Sequence, residues 1–220
     1  MSQAPGFLSS SIGRKVVMAV TGAILVVFVV GHMIGNLQVY LGPEALNHYA
    51  VFLRQFLHGA GLWIVRAVLL VAVVLHIWAA TSLTLESRRA RSEGYRERQW
   101  RESTYASRTM RWGGVIILLF VIYHLLHFTT GTVHPDFIEG DVYHNFVRAF
   151  QNVPVSLAYI FAMIALGLHL RHGVWSMFQT LGVSHPRYMA FAHALAWVVA
   201  LVVVVGNISF PVAVLAGIVK

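Results

Sequence analysis

The chain has 220 residues, of which 58% are hydrophobic and 11% charged, with a mean hydropathy of +0.70 and a formal net charge of +8. That hydropathy excludes an ordinary water-soluble domain of this size. The positive charge lies between long apolar stretches, which excludes a nucleic-acid groove and points to membrane orientation. Cysteine is absent, so the chain has no disulfide, no thiolate metal site, no Cys-x-x-Cys-His attachment and no iron–sulfur ligands. Any metal must be held chiefly by histidine.

Residues 1–13 hold Pro5, two glycines and three consecutive serines and read as a polar or interfacial lead-in. No signal peptide is expected, because Arg14 and Lys15 lead into an apolar stretch too long for an h-region and no small-residue cleavage site follows. The first span is expected at 16–39 and contains Gly31-His32-Met33-Ile34-Gly35. Glycines four apart leave a smooth helix face for a neighbouring helix or a flat ligand. Residues 41–61 form a mixed polar connection in which Gly42-Pro43 breaks the helix. The second span, 62–85, has Arg66 near its start and His76 past its middle.

Residues 86–111 gather eight arginines against four glutamates. A short loop this rich in arginine stays on the cytoplasmic side, which puts the N-terminus there too. The third span, 113–130, contains no carboxylate, lysine or arginine but two histidines, His124 and His127. Residues 131–152 then form an outer loop, and the fourth span, 153–178, carries His169, Arg171 and His172. A turn at 182–187 leads to a fifth span at 188–210, which has His193 near its start and no acid, and 211–220 ends the chain outside. The expected fold is an all-α integral membrane protein. It is one domain, a five-transmembrane-helix bundle over residues 1–220, N-terminus cytoplasmic and C-terminus outside.

Histidines are uncommon at such depth and face a bundle interior where a partner or bound group offsets their desolvation. His32, His76, His124 and His169 fall one per span in the first four spans, 44, 48 and 45 residues apart. At about 1.5 Å of rise per residue, His32 and His124 lie roughly 26 and 20 Å from the inner side, and His76 and His169 roughly 20 and 24 Å from the outer side. Two pairs at two depths suit two stacked haems of b type, each iron taking a neutral imidazole on both faces. With both axial positions filled, such centres carry electrons and leave no open site for substrate. Tetrahedral zinc is disfavoured, since its ligands would converge at one depth.

His127 and His172 share a helix face with His124 and His169 at i+3, so spacing alone does not choose within each pair. Depth favours His124 and His169 as ligands and leaves His127 and His172 as propionate contacts. Arg66 and Arg171 are propionate candidates too, or snorkel to the interface. Glu44 could pass protons to a quinone, or is an ordinary solvated loop acid. No residue is assigned a catalytic role.

Five blocks carry a family likeness: Gly31-His32-Met33-Ile34-Gly35-Asn36, Gly42-Pro43-Glu44-Ala45-Leu46-Asn47, Leu75-His76, Phe120-Val121-Ile122-Tyr123-His124, and His169-Leu170-Arg171-His172-Gly173-Val174-Trp175-Ser176. The last, a His-x-x-x-Gly-x-Trp-Ser pattern, is the most specific. The chain resembles the di-haem cytochrome b subunit (b558-type) that anchors bacterial succinate dehydrogenases and fumarate reductases through one five-helix polypeptide. The resemblance implies His32 with His124 as axial ligands of a distal haem, and His76 with His169 as those of a proximal one. It further implies an FAD-containing flavoprotein subunit and an iron–sulfur subunit on the cytoplasmic face, with electrons passing between their clusters and membrane quinone, menaquinone in preference to ubiquinone. The setting would be the bacterial cytoplasmic membrane, with lipid and quinone as further partners, no nucleic acid, and scope for a higher oligomer of the complex. The subunit would not be catalytic alone.

Members of the wider family line a quinone pocket with a serine and an arginine four residues apart at the start of the first helix, and Ser10 and Arg14 have that spacing. Two other readings compete: the cytochrome b subunit of a formate dehydrogenase or hydrogenase, and a haem-free transporter lined by histidines.

Overall fold

The computed structural model of the protein describes residues 6–89, 105–183 and 185–220. Most of the arginine-rich stretch read as a cytoplasmic loop, 90–104, lies outside the described residues. Those described form helices and turns, with no strand among them. Five helical segments are long and apolar enough to cross a membrane: Ser11–Leu41, Pro43–Arg89, Met110–Thr129, Val153–Thr180 and Pro186–Leu215.

Helix α1 (Ser11–Asn36) starts where the Ser10 hydroxyl accepts from the Gly13 amide at 3.0 Å, the usual N-cap arrangement. A tight turn, Leu37–Leu41, leads to Gly42 at φ +99°, a conformation that favours glycine. Pro43 then occupies the first turn of α2 (Pro43–Gln55), where its missing N–H costs nothing. The Gly42-Pro43 pair therefore starts a helix inside what the sequence suggested was a polar connection. Leu57 and His58, at φ +52° and +54°, make the corner into α3 (Ala60–Arg89).

Helix α4 (Tyr105–His124) begins before the expected span and runs into a π-helical turn, Leu125–Thr129. The expected outer loop holds a further helix, α5 (Val142–Gln151), capped by Asp141, whose carboxylate accepts from the His144 amide at 3.0 Å. Asn152 caps α6 (Val153–Thr180), accepting from the Val155 amide at 3.3 Å. Helix α7 (Pro186–Leu215) continues through Pro211, past the expected end of the last span. In the turn before that proline the Asn207 side chain donates to the Val203 carbonyl and the Ser209 hydroxyl to the Gly206 carbonyl.

Helix α6 is the hub: it packs on α7, α4 and α1, and α1 in turn packs on α3. Ala192, Ala196 and Ala200, four apart and buried on α7, allow close helix approach. The main apolar cluster lies at the α2/α5 end, where Met33, Val39, Leu46, Phe146, Phe150 and Phe210 are among its members. A smaller one, Leu170, Ala200 and Val203, lies toward the other end. Asn47 ties the two short helices together, donating to Asp141 Oδ1 and accepting from the Tyr143 amide, both at 3.0 Å. By contrast, α1 and α4 are not among the closely packed helix pairs of the described residues, nor are α3 and α6. Imidazoles reach across those two separations.

Candidate functional site

The packing of α1, α3, α4 and α6 brings the four deep histidines together as two pairs. His32 on α1 and His124 on α4 have ring centres 5.9 Å apart, at an interplanar angle of 85°. His76 on α3 and His169 on α6 are 6.3 Å apart at 63°. Among the described residues no hydrogen bond joins the two rings of either pair. An imidazole nitrogen binds a metal at about 2 Å and lies about 1 Å from its own ring centre, so two rings on opposite sides of one metal have centres about 6 Å apart. Both observed separations fit that value.

The tautomer of His76 fits as well. A ligating imidazole needs a lone pair on one nitrogen and holds the proton on the other, usually against a carbonyl or carboxylate. His76 Nδ1 lies 3.1 Å from the Met18 carbonyl and 3.2 Å from Thr21 Oγ1, and the Thr21 hydroxyl already donates to the Val17 carbonyl at 2.7 Å. Both neighbours are therefore acceptors, Nδ1 carries the proton and Nε2 is left with a lone pair. Gly22 makes room for this ring: a Cβ there would lie 3.3 Å from His76 Cε1. Among the described residues, buried His169 Nδ1 has no partner. His124 Nδ1 lies 3.4 Å from the Tyr159 hydroxyl. His32, stacked on Phe28, accepts at Nε2 from the Asn36 amide at 3.3 Å.

Among the described residues no group of three or more His, Asp or Glu side chains gathers as a metal-ligand set. What the bundle offers is pairs, suited to a metal whose remaining ligands come from a macrocycle. Haem meets that description.

The other candidates are placed as follows. His127 is 1% exposed, stacked between Tyr123 and His134, with Nδ1 3.0 Å from the Tyr159 hydroxyl. Half-buried His172 meets the edge of Trp175, which stacks on His193. The Arg171 guanidinium lies over the Trp197 ring at 4.1 Å, and exposed Arg66 over Trp63 at 4.9 Å. Arg14 pairs with Glu86 at 2.9 Å and lines an open groove with Ser82, Leu85 and Arg89. The Ser10 hydroxyl is occupied as a helix cap and donates to the Phe7 carbonyl. Glu44 is exposed in the first turn of α2, at the opposite end from Arg14.

The sequence reading singled out neither Thr21 and Gly22, which support His76, nor Tyr159, which joins His124 to His127. A tyrosine ten residues before His169, well inside an apolar span, was the available signal for the last.

A family model described as "Succinate dehydrogenase/Fumarate reductase transmembrane subunit" matches residues 85–206, more than half of the chain. The matched part contains His124 and His169, whereas His32 and His76 lie before it. No curated protein and no solved structure matches the chain.

Proposed function

This chain belongs to the succinate dehydrogenase/fumarate reductase transmembrane subunit family, and we propose that it is a cytochrome b anchor of such a complex, holding two b-type haems and serving electron transfer between the iron–sulfur subunit and membrane quinone. Family membership implies association with the flavoprotein and iron–sulfur subunits, so the chain is the membrane part of an enzyme and does not turn over dicarboxylate alone. The observation that carries the haem reading is the two pairs of imidazoles, at 5.9 and 6.3 Å, each drawn from two helices that are not closely packed on one another among the described residues.

When bound, each haem supplies a one-electron centre within the membrane. His32 and His124 would hold one, and His76 and His169 the other. With an imidazole from each of two helices, each site would hold a group that carries electrons rather than one that binds substrate. The Met18 carbonyl and Thr21 keep the His76 proton on Nδ1, so Nε2 is the donor atom. Phe120 and Phe128 pack against His124. Arg171, His172, Arg66 and His127 are retained as propionate candidates, and Ser10, Arg14 and Glu44 as quinone candidates. Of the quinone candidates, Arg14 lines a groove.

The chain is a multi-pass membrane protein; we assign it to a bacterial cytoplasmic membrane, with the Arg14/Glu86 end inside, where the arginine-rich stretch would meet the partner subunits. A dithionite-reduced minus oxidised spectrum of the purified protein, with a pyridine haemochrome count, tests the proposal. Two b haems per chain are expected, and a colourless protein from haem-supplied membranes would overturn it.

A further inference from the structure

We propose that Tyr159 is a positioning residue: it fixes which nitrogen of His124 carries the proton, and through that ring it sets the reduction potential of the haem held by His32 and His124 alone. This rests on the haem reading above.

Tyr159 is 6% exposed, and its ring is walled in edge-to-face by Phe120 at 4.9 Å, Phe150 at 5.0 Å and Phe128 at 5.9 Å. The phenol oxygen is thereby held between two imidazoles, 3.0 Å from His127 Nδ1 and 3.4 Å from His124 Nδ1. A phenol has one proton, so it donates to one of the two rings and accepts from the other. Of the two, His124 faces a second histidine across the separation between α1 and α4, while His127 is stacked on His134 within the packed aromatic cluster. His134 is itself committed, since Nδ1 accepts from the Asp136 amide at 3.2 Å and Nε2 donates to the Asn145 carbonyl at 2.9 Å.

A histidine that ligates through Nε2 keeps its proton on Nδ1. The direction of the chain follows: His124 Nδ1–H donates to the Tyr159 oxygen, and the Tyr159 hydroxyl donates to His127 Nδ1. Linked hydrogen bonds polarise one another, so a phenol that donates to an imidazole is a better acceptor for His124. Donation from Nδ1–H makes the ring a stronger base at Nε2, which favours the oxidised metal and lowers its potential. Among the described residues nothing comparable links Tyr159 to the other pair, where His76 leans on a backbone carbonyl and His169 Nδ1 has no partner.

The test is Tyr159→Phe in the full complex, read by haem count and by an optically followed redox titration. The variant keeps the ring in its cage and removes only the oxygen. Two haems should remain, with one midpoint potential raised and the other unchanged, and the shifted haem should be the one lost in His124→Ala. Unchanged potentials, or a shift confined to the haem lost in His76→Ala, would overturn the proposal. Should Tyr159→Phe lose haem, His127→Phe decides, because it removes the phenol's acceptor and leaves the phenol: the same haem should shift upward by less, and no shift overturns. A wild-type protein without haem overturns the haem reading itself, whereas a two-haem protein whose potentials ignore both variants overturns only the role of Tyr159.

Discussion

The two histidine pairs have similar ring separations but unlike surroundings. On the Arg14 side, His76 is anchored by the main chain: the Met18 carbonyl is unaffected by any side-chain change, and Thr21 only adds to it. On the α2/α5 side, His124 is anchored by the Tyr159 side chain, itself set in the larger apolar cluster and linked to two further buried histidines. Similar geometry is thus reached by a support that mutation can barely touch and by one that a single atom alters. The difference teaches that a tunable centre needs side chains around it, and side chains can be fixed only where the bundle is well packed.

The largest expected effect comes from the rings themselves. His76→Ala and His124→Ala should each lose one haem, and not the same one, when haem per chain is counted by pyridine haemochrome. Retention of both haems in both variants would break the comparison.

Gly22→Val should come next. A Cβ at this position already lies 3.3 Å from His76 Cε1, so a branched side chain displaces the ring, whereas at Gly114 a Cβ would stand 3.9 Å from His169 Cε1. The expected outcome is partial loss of the His76/His169 haem in Gly22→Val, with the other retained and Gly114→Ala near wild type.

Asn47→Ala sharpens the contrast from the packed end. It removes a donor to Asp141 and leaves the Tyr143 amide without an acceptor. Unsatisfied partly buried groups cost about 1–3 kcal/mol. Thermal unfolding in detergent should register a loss of that order, with both haems still bound in the folded fraction.

The same end should be acid-sensitive. The Arg148 side chain donating to Asp136, and the His144 amide donating to Asp141, hold both carboxyls below the usual 3.8. A depressed folded pKa gives stability that is fully present above the ordinary value and lost as pH falls through the folded one. Melting temperature should therefore be flat down to about pH 5 and decline below pH 4, and Asp136→Asn should reduce the decline. The smallest effect is expected for Thr21→Val, because the Met18 carbonyl still accepts from His76 at 3.1 Å. A slight upward move in that haem's potential, smaller than the shift in Tyr159→Phe, is what a redox titration should show.

The five apolar spans, and the four of them that carry a central histidine, were legible because hydropathy is a property of the chain taken along its own axis. An imidazole amid apolar residues stands out in any listing of the sequence. The short helices α2 and α5 were not legible as helices. Their buried large apolar residues, Leu46 in one and Phe146, Val147 and Phe150 in the other, are diluted by polar neighbours into what looks like loop. Pro211 misled in the other direction: the last span was expected to end before it, whereas α7 continues through it to Leu215.

Composition and hydropathy were thus enough to establish an all-helical membrane bundle, and spacing to single out four central histidines. They carry no information about the azimuth at which one helix meets another. Only the packing of α6 against α1 and α4 decided that His124 turns toward His32 while His127, three residues on, turns toward Tyr159 and His134. A difference of three residues is almost one helical turn. The π-helical turn at Leu125–Thr129 and the tertiary contacts around it, beyond the reach of spacing, separate the two rings.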